Sequence, residues 1–407
     1  MRRHPESPAV VVLLTACIAF QAISTDLYLP SLPSIGVSLG ASAAAVQMTL
    51  SAFLAGMAAG MLFYGPLSDR FGRRPVLIGG IAIYVAATVV CLLSPSVEPL
   101  IAARFVQGVG ACAGPVLGRA VVRDVFGAER AGRVLSYMSM AMAVAPTVGP
   151  ILGGYLEVAF GWRAAFTLLL AFSGLCLAGL IFLLPETNPE KLPQATRISS
   201  LLRNYATLIG HRVYLGYVLC ASFGYSGIFV FISGSSFVLI DGLGLSPDVY
   251  GYCFAAAIVG YMTGAFASGR LGRRWALDRM IACGLLICLA AGVLAAGFAF
   301  AGVATVVTVV APFALFLGGA GLILPNSIAG SLAPFPHIAG SASALLGFVQ
   351  MLVASGIGFG LGQLQDGTPR AMGALLLLVG LAGALSFFLL VRGGKAAQVR
   401  EGSAGGA

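Results

Sequence analysis

Two charged residues interrupt apolar stretches in which charge is otherwise scarce. Asp26 falls within the first apolar stretch and Arg104 within the fourth. An ionised carboxylate buried in a membrane-spanning helix costs about 2.5–3.5 kcal/mol on insertion scales, and burial favours the neutral form. Asp26 is therefore a candidate for taking up a proton on one side of a membrane and releasing it on the other, or for binding a cation.

Each of these residues also has a structural interpretation. Pro30 and Pro33 follow Asp26 closely, so the helix could end there and place Asp26 at its outer end. Arg104 lies about 9 Å into its stretch at 1.5 Å per residue, a depth comparable with that of Asp26. We therefore predict an Asp26–Arg104 ion pair that makes or breaks with protonation. The alternative, which is the default for Arg119, is an arginine that extends to the lipid headgroups.

The elements that carry these residues follow from composition. The chain has 407 residues, of which 59% are hydrophobic and 9% charged, whereas about a quarter of the residues of a soluble domain are charged. The apolar residues amount to about twelve helices of about 20 residues each. The stretches are continuous and do not alternate, which excludes a β-barrel. The sequence predicts an all-α polytopic membrane protein.

Twelve transmembrane helices are predicted, divided by one long polar stretch. This division predicts an N-terminal six-helix bundle at 1–184, a cytoplasmic linker at 185–212, a C-terminal six-helix bundle at 213–391 and a cytoplasmic tail at 392–407. The predicted spans are 9–34, 44–64, 75–95, 98–121, 132–157, 163–184, 213–238, 248–268, 279–300, 303–327, 337–363 and 369–391.

The net charge of +9 predicts orientation and not a nucleic-acid partner. Most of the 23 lysines and arginines, among them Arg2 and Arg3, fall on one side when the N-terminus is placed inside. Positively charged loops mark the cytoplasmic side of a membrane protein. Both termini are therefore expected in the cytoplasm.

A charged loop at Gly65–Pro75 has a counterpart later in the chain. Ser68–Arg74 and Ser268–Arg274 share the order S-x-R-x-G-R-R, and each follows the second span of its half. The repeat indicates a duplicated six-helix unit, a design that binds substrate near the membrane midplane. The alternative is chance, because arginines are favoured in such loops anyway.

Several motifs resemble those of one transporter family. Gly65–Arg74 resembles the loop signature of the major facilitator superfamily, Arg104–Gly108 its fourth-helix motif, and Ala145–Gly154 the fifth-helix motif associated with drug/proton antiporters. Similarity to the bicyclomycin and chloramphenicol exporter branch is carried by Asp26–Pro30, Pro325-Asn326 and Pro336–Gly340.

The resemblance, which covers essentially the whole chain, implies two pseudo-symmetric six-helix halves that work by alternating access. It implies a proton-coupled antiporter that exports drug-like amphipathic small molecules from the bacterial inner membrane, and thus multidrug efflux and antibiotic resistance. The proton-coupling residues would be Asp26 and Arg104. A proton-coupled transporter of an amino acid or sugar, and a non-transporting membrane sensor, remain alternatives.

The resemblance also implies a conformational gate at the loop. Gly65-Pro66 is expected to end one span, Gly72 to allow a tight turn and Pro75 to begin the next helix. Asp69 is expected to face the N-terminus of the eleventh span, where the helix dipole favours an anion. Gly269 replaces Asp69 in the second copy, so this contact is expected on one side only. The gate residues are Gly65, Asp69, Arg70, Gly72, Arg73, Arg74 and Asp124, the last as a partner for the arginines.

The fifth-helix motif consists of small and helix-bending residues. Small residues let helices approach closely, and proline removes backbone hydrogen bonds. The resemblance implies a seam between the halves that prevents ion leak, whereas ordinary helix packing would explain the same residues. They are Pro146, Gly149, Pro150, Gly153 and Gly154.

Aromatic and neutral polar residues within the spans are the substrate-binding candidates. Such residues suit amphipathic, drug-like molecules, although each could serve packing alone. Little other charge lies within the spans, which argues against a strongly ionic substrate. The candidates are Gln21, Tyr28, Gln47, Phe53, Gln107, Tyr225, Phe229, Asn326 and Gln350.

Nothing in the sequence indicates an enzyme, a cofactor or a metal site. The eight cysteines lack metal-ligand spacing, the three histidines (His4, His211 and His337) are far apart, and no phosphate-binding loop occurs. A proton gradient is the expected energy source. The expected partners are a small-molecule substrate, protons and the lipid bilayer, with no nucleic acid, and the protein is expected to act as a monomer.

Overall fold

The computed structural model describes residues 7–142, 145–188, 191, 196–272 and 274–395, and most of them are α-helical. Among these residues, ten helices are long and apolar enough to cross a membrane, and a bent pair at the N-terminal end makes up to eleven. The fifth predicted span, 132–157, contains residues 143–144, which lie outside the described residues. The chain is helical on both sides of that gap. The predicted all-α polytopic fold is confirmed.

Among the described residues, eight α-helices precede the central polar stretch. They are α1 (Pro8–Ile18), α2 (Phe20–Asp26), α3 (Leu32–Leu39), α4 (Ala43–Phe71), α5 (Arg73–Leu93), α6 (Val97–Met142, with a break at Gly127), α7 (Ala145–Phe160) and α8 (Arg163–Leu183).

Seven helices follow. They are α9 (Ile198–Gly210), α10 (Arg212–Ser236, extended by a π-helical turn at Phe237–Gly242), α11 (Pro247–Leu271), α12 (Leu277–Phe300), α13 (Val306–Leu332), α14 (Ala339–Leu364) and α15 (Arg370–Ser386, extended by a π-helical turn at Phe387–Arg392).

The described residues form two compact units. The first unit takes its members from Met1–Arg197 and Leu239–Ala255, and the second from Ile198–Val238 and Ala256–Ala407. The division of the chain at 184, 212 and 391 stays a prediction. The tail beyond residue 395 and Arg273 of the repeated motif lie outside the described residues, as do Arg2, Arg3 and His4.

The first predicted span, 9–34, is broken in the structure. The chain bends by 46° between Pro8–Ile18 and Phe20–Leu39. A 3₁₀ turn at Leu29–Ser31 then separates α2 from α3. Pro30 and Pro33 lack a backbone N–H, so a continuous ladder of helical hydrogen bonds cannot form there. Asp26 ends α2, and a further helix follows from Leu32 to Leu39, so Asp26 lies in the interior of the broken helical segment.

The second span ends later than the sequence predicted. Helix α4 continues through Gly65-Pro66 and ends at Phe71, so the expectation that Gly65-Pro66 ends the span is wrong. Proline removes one helical hydrogen bond, and this helix continues beyond it. Gly72 then adopts a φ of 105°, which confirms the predicted tight turn.

Helix α9 lies within the stretch predicted as a linker. The sequence reading assigned no helix to 185–212, whereas Ile198–Gly210 is helical. Residues 189–190 and 192–195 of this stretch lie outside the described residues.

Candidate functional site

Arg104 lies on α6 with an exposed fraction of 0%. Its Nη1 donates to Gln107 Oε1 at 2.6 Å, and Gln107 Nε2 donates to Thr88 Oγ1 at 2.7 Å. Thr88 Oγ1 in turn donates to the carbonyl oxygen of Tyr84 at 2.7 Å. A chain of hydrogen bonds therefore fixes one edge of the guanidinium group against α5.

Two aromatic rings enclose the same guanidinium group. Its Cζ lies 4.4 Å from the ring centroid of Phe53 and 4.9 Å from that of Tyr28. The Tyr28 hydroxyl is 2.8 Å from Thr49 Oγ1, which fixes the orientation of that ring. Nε and Nη2 of Arg104 are buried and have no hydrogen-bond partner among the described residues. We call Arg104, Tyr28, Phe53 and Gln107 the arginine cage.

Two glycines bring the helices of the cage together. A Cβ atom on Gly56 of α4 would overlap the carbonyl oxygen of Phe105, and one on Gly108 of α6 would overlap that of Phe53. The backbones therefore touch where α4 crosses α6, as small residues permit in membrane helices. Gly108 belongs to the fourth-helix motif, so the motif supplies both the arginine and the close contact that encloses it.

Asp26 is 3% exposed and has one polar neighbour for its side chain. Thr25 Oγ1 lies 3.0 Å from Asp26 Oδ1. The same hydroxyl also lies 3.0 Å from the carbonyl oxygens of Gln21 and Ala22. A hydroxyl has one proton to donate, so an ionised Asp26 would share it with two carbonyls.

The predicted ion pair between Asp26 and Arg104 does not occur in the described structure. Arg104 binds Gln107 and faces the two rings, and Asp26 contacts Thr25. Asp26 ends α2, where its Cβ would lie 3.0 Å from a Cβ on Gly149 of α7. Tyr28, two residues later, is the first-span residue that reaches Arg104. The turn after α2 therefore gives Arg104 an aromatic partner in place of a carboxylate.

Helix α7 packs through the glycines of the fifth-helix motif. A Cβ on Gly153 would overlap the carbonyl oxygen of Leu27, and one on Gly154 would overlap that of Pro247. On α11, a Cβ on Gly251 would crowd the backbone of Ile151. These contacts lie within the first unit and include Pro150, whose carbonyl also faces Gly251. The close packing is observed, whereas a seal against ion leak stays a prediction, as does any part played by Pro146.

The remaining substrate candidates are spread over several helices. Gln21 on α2 is half-buried and Gln47 on α4 is buried. In the second unit, Tyr225 and Phe229 lie on α10 and Gln350 on α14. Asn326 on α13 donates to Ser268 Oγ at 2.8 Å and to the carbonyl oxygen of Leu322 at 2.7 Å. The bond to Ser268 joins α13 to the end of α11, and the bond to Leu322 lies within α13, so a structural role explains Asn326.

The loop after α4 is held by a residue that the sequence reading did not select. Glu186 follows α8, and its carboxylate accepts the backbone N–H of Arg73 at 2.8 Å and that of Arg74 at 3.3 Å. It therefore caps the first turn of α5, where a negative charge is favourable. Pro75 was predicted to begin this helix; α5 begins two residues earlier, at Arg73, and Pro75 lies in its first turn, where it needs no acceptor. A Cβ on Gly72 would overlap the Glu186 carboxylate.

The arginines of the loop have separate partners. Arg73 bridges Asp69 at 2.5 Å and Asp124 of α6 at 2.9 Å, which confirms the predicted pairing with Asp124. Arg74 donates to the carbonyl oxygens of Leu184 and Ile181, each at 2.8 Å. The loop thus joins α4, α5, α6 and the end of α8.

The other two gate residues, Arg70 and Gly65, make few contacts through their side-chain positions. Arg70 donates to Thr196 Oγ1 at 2.7 Å, and Gly65 has open space where a side chain would be. The contact of Asp69 with the eleventh span stays a prediction.

The residues of these sites that sequence reasoning missed include Thr25, Tyr84, Thr88 and Glu186. A signal existed for Glu186, since Pro185-Glu186-Thr187-Asn188 places an acid beside turn-forming residues just after a span. The other three are ordinary helix residues of α2 and α5, and no local pattern distinguishes them from neighbours that only pack.

A broken span and buried ionisable residues within apolar helices are typical of membrane transporters. A family model described as Major Facilitator Superfamily matches residues 14–359. The chain belongs to this superfamily and is a multi-pass membrane protein. This confirms the resemblance inferred from the motifs.

The chain is similar to drug-resistance proteins over most of its length. It is 33% identical to the multidrug resistance protein D of Escherichia coli, over 91% of this chain and 93% of that protein. It is also 33% identical to the bicyclomycin resistance protein homolog of Haemophilus influenzae, over 82% and 83% of the two chains. The crystal structure of a D-xylose-proton symporter matches with a TM-score of 0.73 at 16% identity, over 93% of this chain and 97% of that one. That last likeness concerns the fold alone.

Proposed function

We propose that this protein is a proton-coupled antiporter that exports drug-like amphipathic small molecules. The observation that carries the proposal is Asp26, a buried carboxyl group inside a broken span, without an ion-pair partner among the described residues. Broken helices at membrane depth are typical of transporter binding sites. The names of the relatives, which refer to multidrug and bicyclomycin resistance, support export of drugs.

Protonation would complete the hydrogen bonding of Asp26. A neutral Asp26 donates its own proton to Thr25 Oγ1, and the threonine proton is then free for the carbonyl oxygen of Gln21 or Ala22. An ionised Asp26 competes with those carbonyls for one proton. The packing around α2 therefore favours the proton-loaded state, and the ionised state is favoured where water or substrate reaches Asp26.

The arginine cage offers a binding environment for part of the substrate. Nε and Nη2 of Arg104 have no hydrogen-bond partner among the described residues, and the rings of Tyr28 and Phe53 lie against the same guanidinium group. Hydrogen-bond donors set among aromatic surfaces suit a neutral molecule with both apolar groups and carbonyl-type acceptors. Arg104 thus has a role in substrate or proton handling without a direct bond to Asp26.

The membrane setting follows from the same proposal. The protein would reside in the bacterial inner membrane with both termini in the cytoplasm, act as a monomer and use alternating access. Each elementary charge that moves inward gains about 2.3 kcal/mol per 100 mV. A proton gradient would therefore suffice as the energy source without a cofactor.

The test is uptake into inverted vesicles with an imposed pH gradient, for the native chain and for Asp26→Asn. We expect gradient-driven uptake of drugs by the native chain and loss of that coupling in Asp26→Asn. Asp366→Asn is the matched control, because Asp366 is exposed between α14 and α15 and the same substitution there should leave uptake intact.

Three outcomes would contradict parts of the proposal. Absence of gradient-driven uptake for a panel of drugs would overturn drug export. Uptake restricted to amino acids or sugars would favour a metabolite transporter. Full coupling in Asp26→Asn would overturn the role of Asp26.

A further inference from the structure

Helix α9 belongs to the second unit, and one of its sides packs against α10 and α14. Tyr205 and the fully buried Leu208 join a cluster formed by α10 and α14, whose members are Tyr214, Val218, Ala342, Leu345 and Leu346. Asn204 Nδ2 lies 3.4 Å from Ser341 Oγ in the first turn of α14. This side fixes how α9 is rotated about its axis.

A second side of α9 is apolar and faces outward. Leu202 is 61% exposed and Ile209 is 54% exposed, and Ala206 between them is also exposed. Spacings of four and three residues place these three side chains on one side of a helix. Arg203 and Thr207 are exposed on the adjoining polar side. The helix therefore has a protein-facing, an apolar and a polar side.

The charged side chains of this stretch of the chain are all basic. Residues 196–212 contain Arg197, Arg203 and Arg212 and no aspartate or glutamate. Helix α10, a membrane span, begins at Arg212, with only His211 between it and α9. The exposed apolar side therefore lies next to the point where the chain enters the bilayer. An apolar side beside basic residues is typical of helices that lie in the membrane interface.

We propose that α9 lies in the headgroup region of the membrane and binds anionic phospholipids. Leu202, Ala206 and Ile209 contact acyl chains, and Arg203 and Arg212 contact lipid phosphates. A protein partner fits less well, since a stable protein interface buries about 800 Å² on each side and three small or medium side chains offer far less. The absence of acidic residues in 196–212 matches a negatively charged surface.

If α9 binds anionic lipids, lipid binding would also affect the first turn of α14, which lies next to α9. Besides the contact of Asn204 with Ser341, the hydroxyl of Tyr214 donates to the carbonyl oxygen of Ala342 at 2.7 Å. A lipid-bound α9 therefore supports the first turn of α14 from outside. None of these residues belongs to the arginine cage or to the Asp26 site, so the proposal does not depend on what is transported.

The first experiment locates the apolar side with the full chain in phosphatidylcholine vesicles brominated on the acyl chains. Leu202→Trp should be quenched beyond the baseline of the native Trp162 and Trp275, whereas the matched control Thr207→Trp on the polar side should stay at the baseline. Equal behaviour of the two variants would overturn the proposal. Quenching of Leu202→Trp that rises on dilution with lipid would show that a second copy covers this side, which also overturns it.

The second experiment measures the preference of the full chain for spin-labelled phosphatidylglycerol over spin-labelled phosphatidylcholine. Arg203→Gln should reduce this preference at its site about fivefold, which corresponds to about 1 kcal/mol per basic residue near an anionic surface. Arg203→Lys keeps the charge and should keep the preference. An unchanged preference in Arg203→Gln, or an equal loss in Arg203→Lys, would overturn anionic-lipid binding.

Discussion

Arg104 is a buried cation that is stabilised by rings and an amide in place of a carboxylate. Burying a guanidinium group without compensation is costly. Here one nitrogen donates to Gln107, and the rings of Tyr28 and Phe53 present their negative faces to the cation. The sequence predicted each of these residues as functional, but not that they are neighbours. Tyr28 contacts Arg104 because of the conformation of the turn after Asp26, which the sequence does not predict.

The ring of Tyr28 can be tested apart from its hydroxyl group. Tyr28→Phe keeps the ring over Arg104 and loses the hydrogen bond to Thr49, which costs about 1 kcal/mol. Tyr28→Leu also removes the cation–π contact, worth about 2 kcal/mol when desolvated. We expect Tyr28→Leu to be less stable than Tyr28→Phe by about 2 kcal/mol, the value of the cation–π contact. The measurement is denaturant unfolding in detergent. Equal stability of the two variants would show that the ring does not stabilise the cation.

Gly72 has a backbone conformation that glycine adopts readily and that would strain any other residue. Its φ of 105° is disfavoured for side chains, and an added Cβ would overlap Glu186. We expect Gly72→Ala to lower the free energy of unfolding by at least about 1–2 kcal/mol. Gly65→Ala, seven residues earlier in a regular helix with open space around it, should be neutral or stabilising. Thermal unfolding of both variants tests this prediction. A similar loss of stability in Gly65→Ala would indicate that this region does not tolerate any added side chain, and that the φ of Gly72 is not the cause.

At the scale of elements, the packing of α7 on α2 determines the surroundings of Asp26. The glycines at 149 and 153 face the backbone of Asp26 and Leu27. Sequence reasoning identified the motif and its close packing. It predicted a seam between the halves and did not predict contact with the first span. The spacing of glycines indicates which face of a helix is in contact, but not which helix packs against that face.

A Gly153→Ala variant should disturb this contact. The new Cβ would meet the carbonyl oxygen of Leu27, and overpacking of this kind costs about 1–3 kcal/mol. Gly174→Ala on α8 is the matched control, because nothing lies within 4 Å of its added Cβ. We expect Gly153→Ala to lose stability and to weaken proton coupling through Asp26, measured by unfolding and by gradient-driven uptake. Unfolding curves that coincide for the two variants would contradict the contact.

At the scale of the whole molecule, the order of spans was predictable and their pairing was not. Apolar stretches of about 20 residues must cross the bilayer, so composition alone predicts the all-α fold. The chain bends between Ile18 and Phe20 without a proline there, and α4 continues through Pro66, so proline positions alone did not predict either feature. The missing Asp26–Arg104 pair was not predictable either, since equal depth in the membrane does not place two side chains on facing helices.

The Glu186 cap has a consequence for dividing the chain into separately expressed polypeptides. Glu186 and Thr196 both contact the loop after α4, and the first unit extends to Arg197. A first fragment that ends at Leu184, the boundary that the sequence predicted, leaves the start of α5 without its cap. A fragment that ends at Arg197 retains it.

We expect co-expressed halves divided after Arg197 to reassemble with a higher yield than halves divided after Leu184, measured by co-purification through a tag on one half. Equal yields would show that the cap is dispensable once the spans have inserted. If the yields differ as expected, the thirteen residues from Pro185 to Arg197 are needed by the first fragment to fold its charged loop, although they follow the last apolar residue of the sixth span.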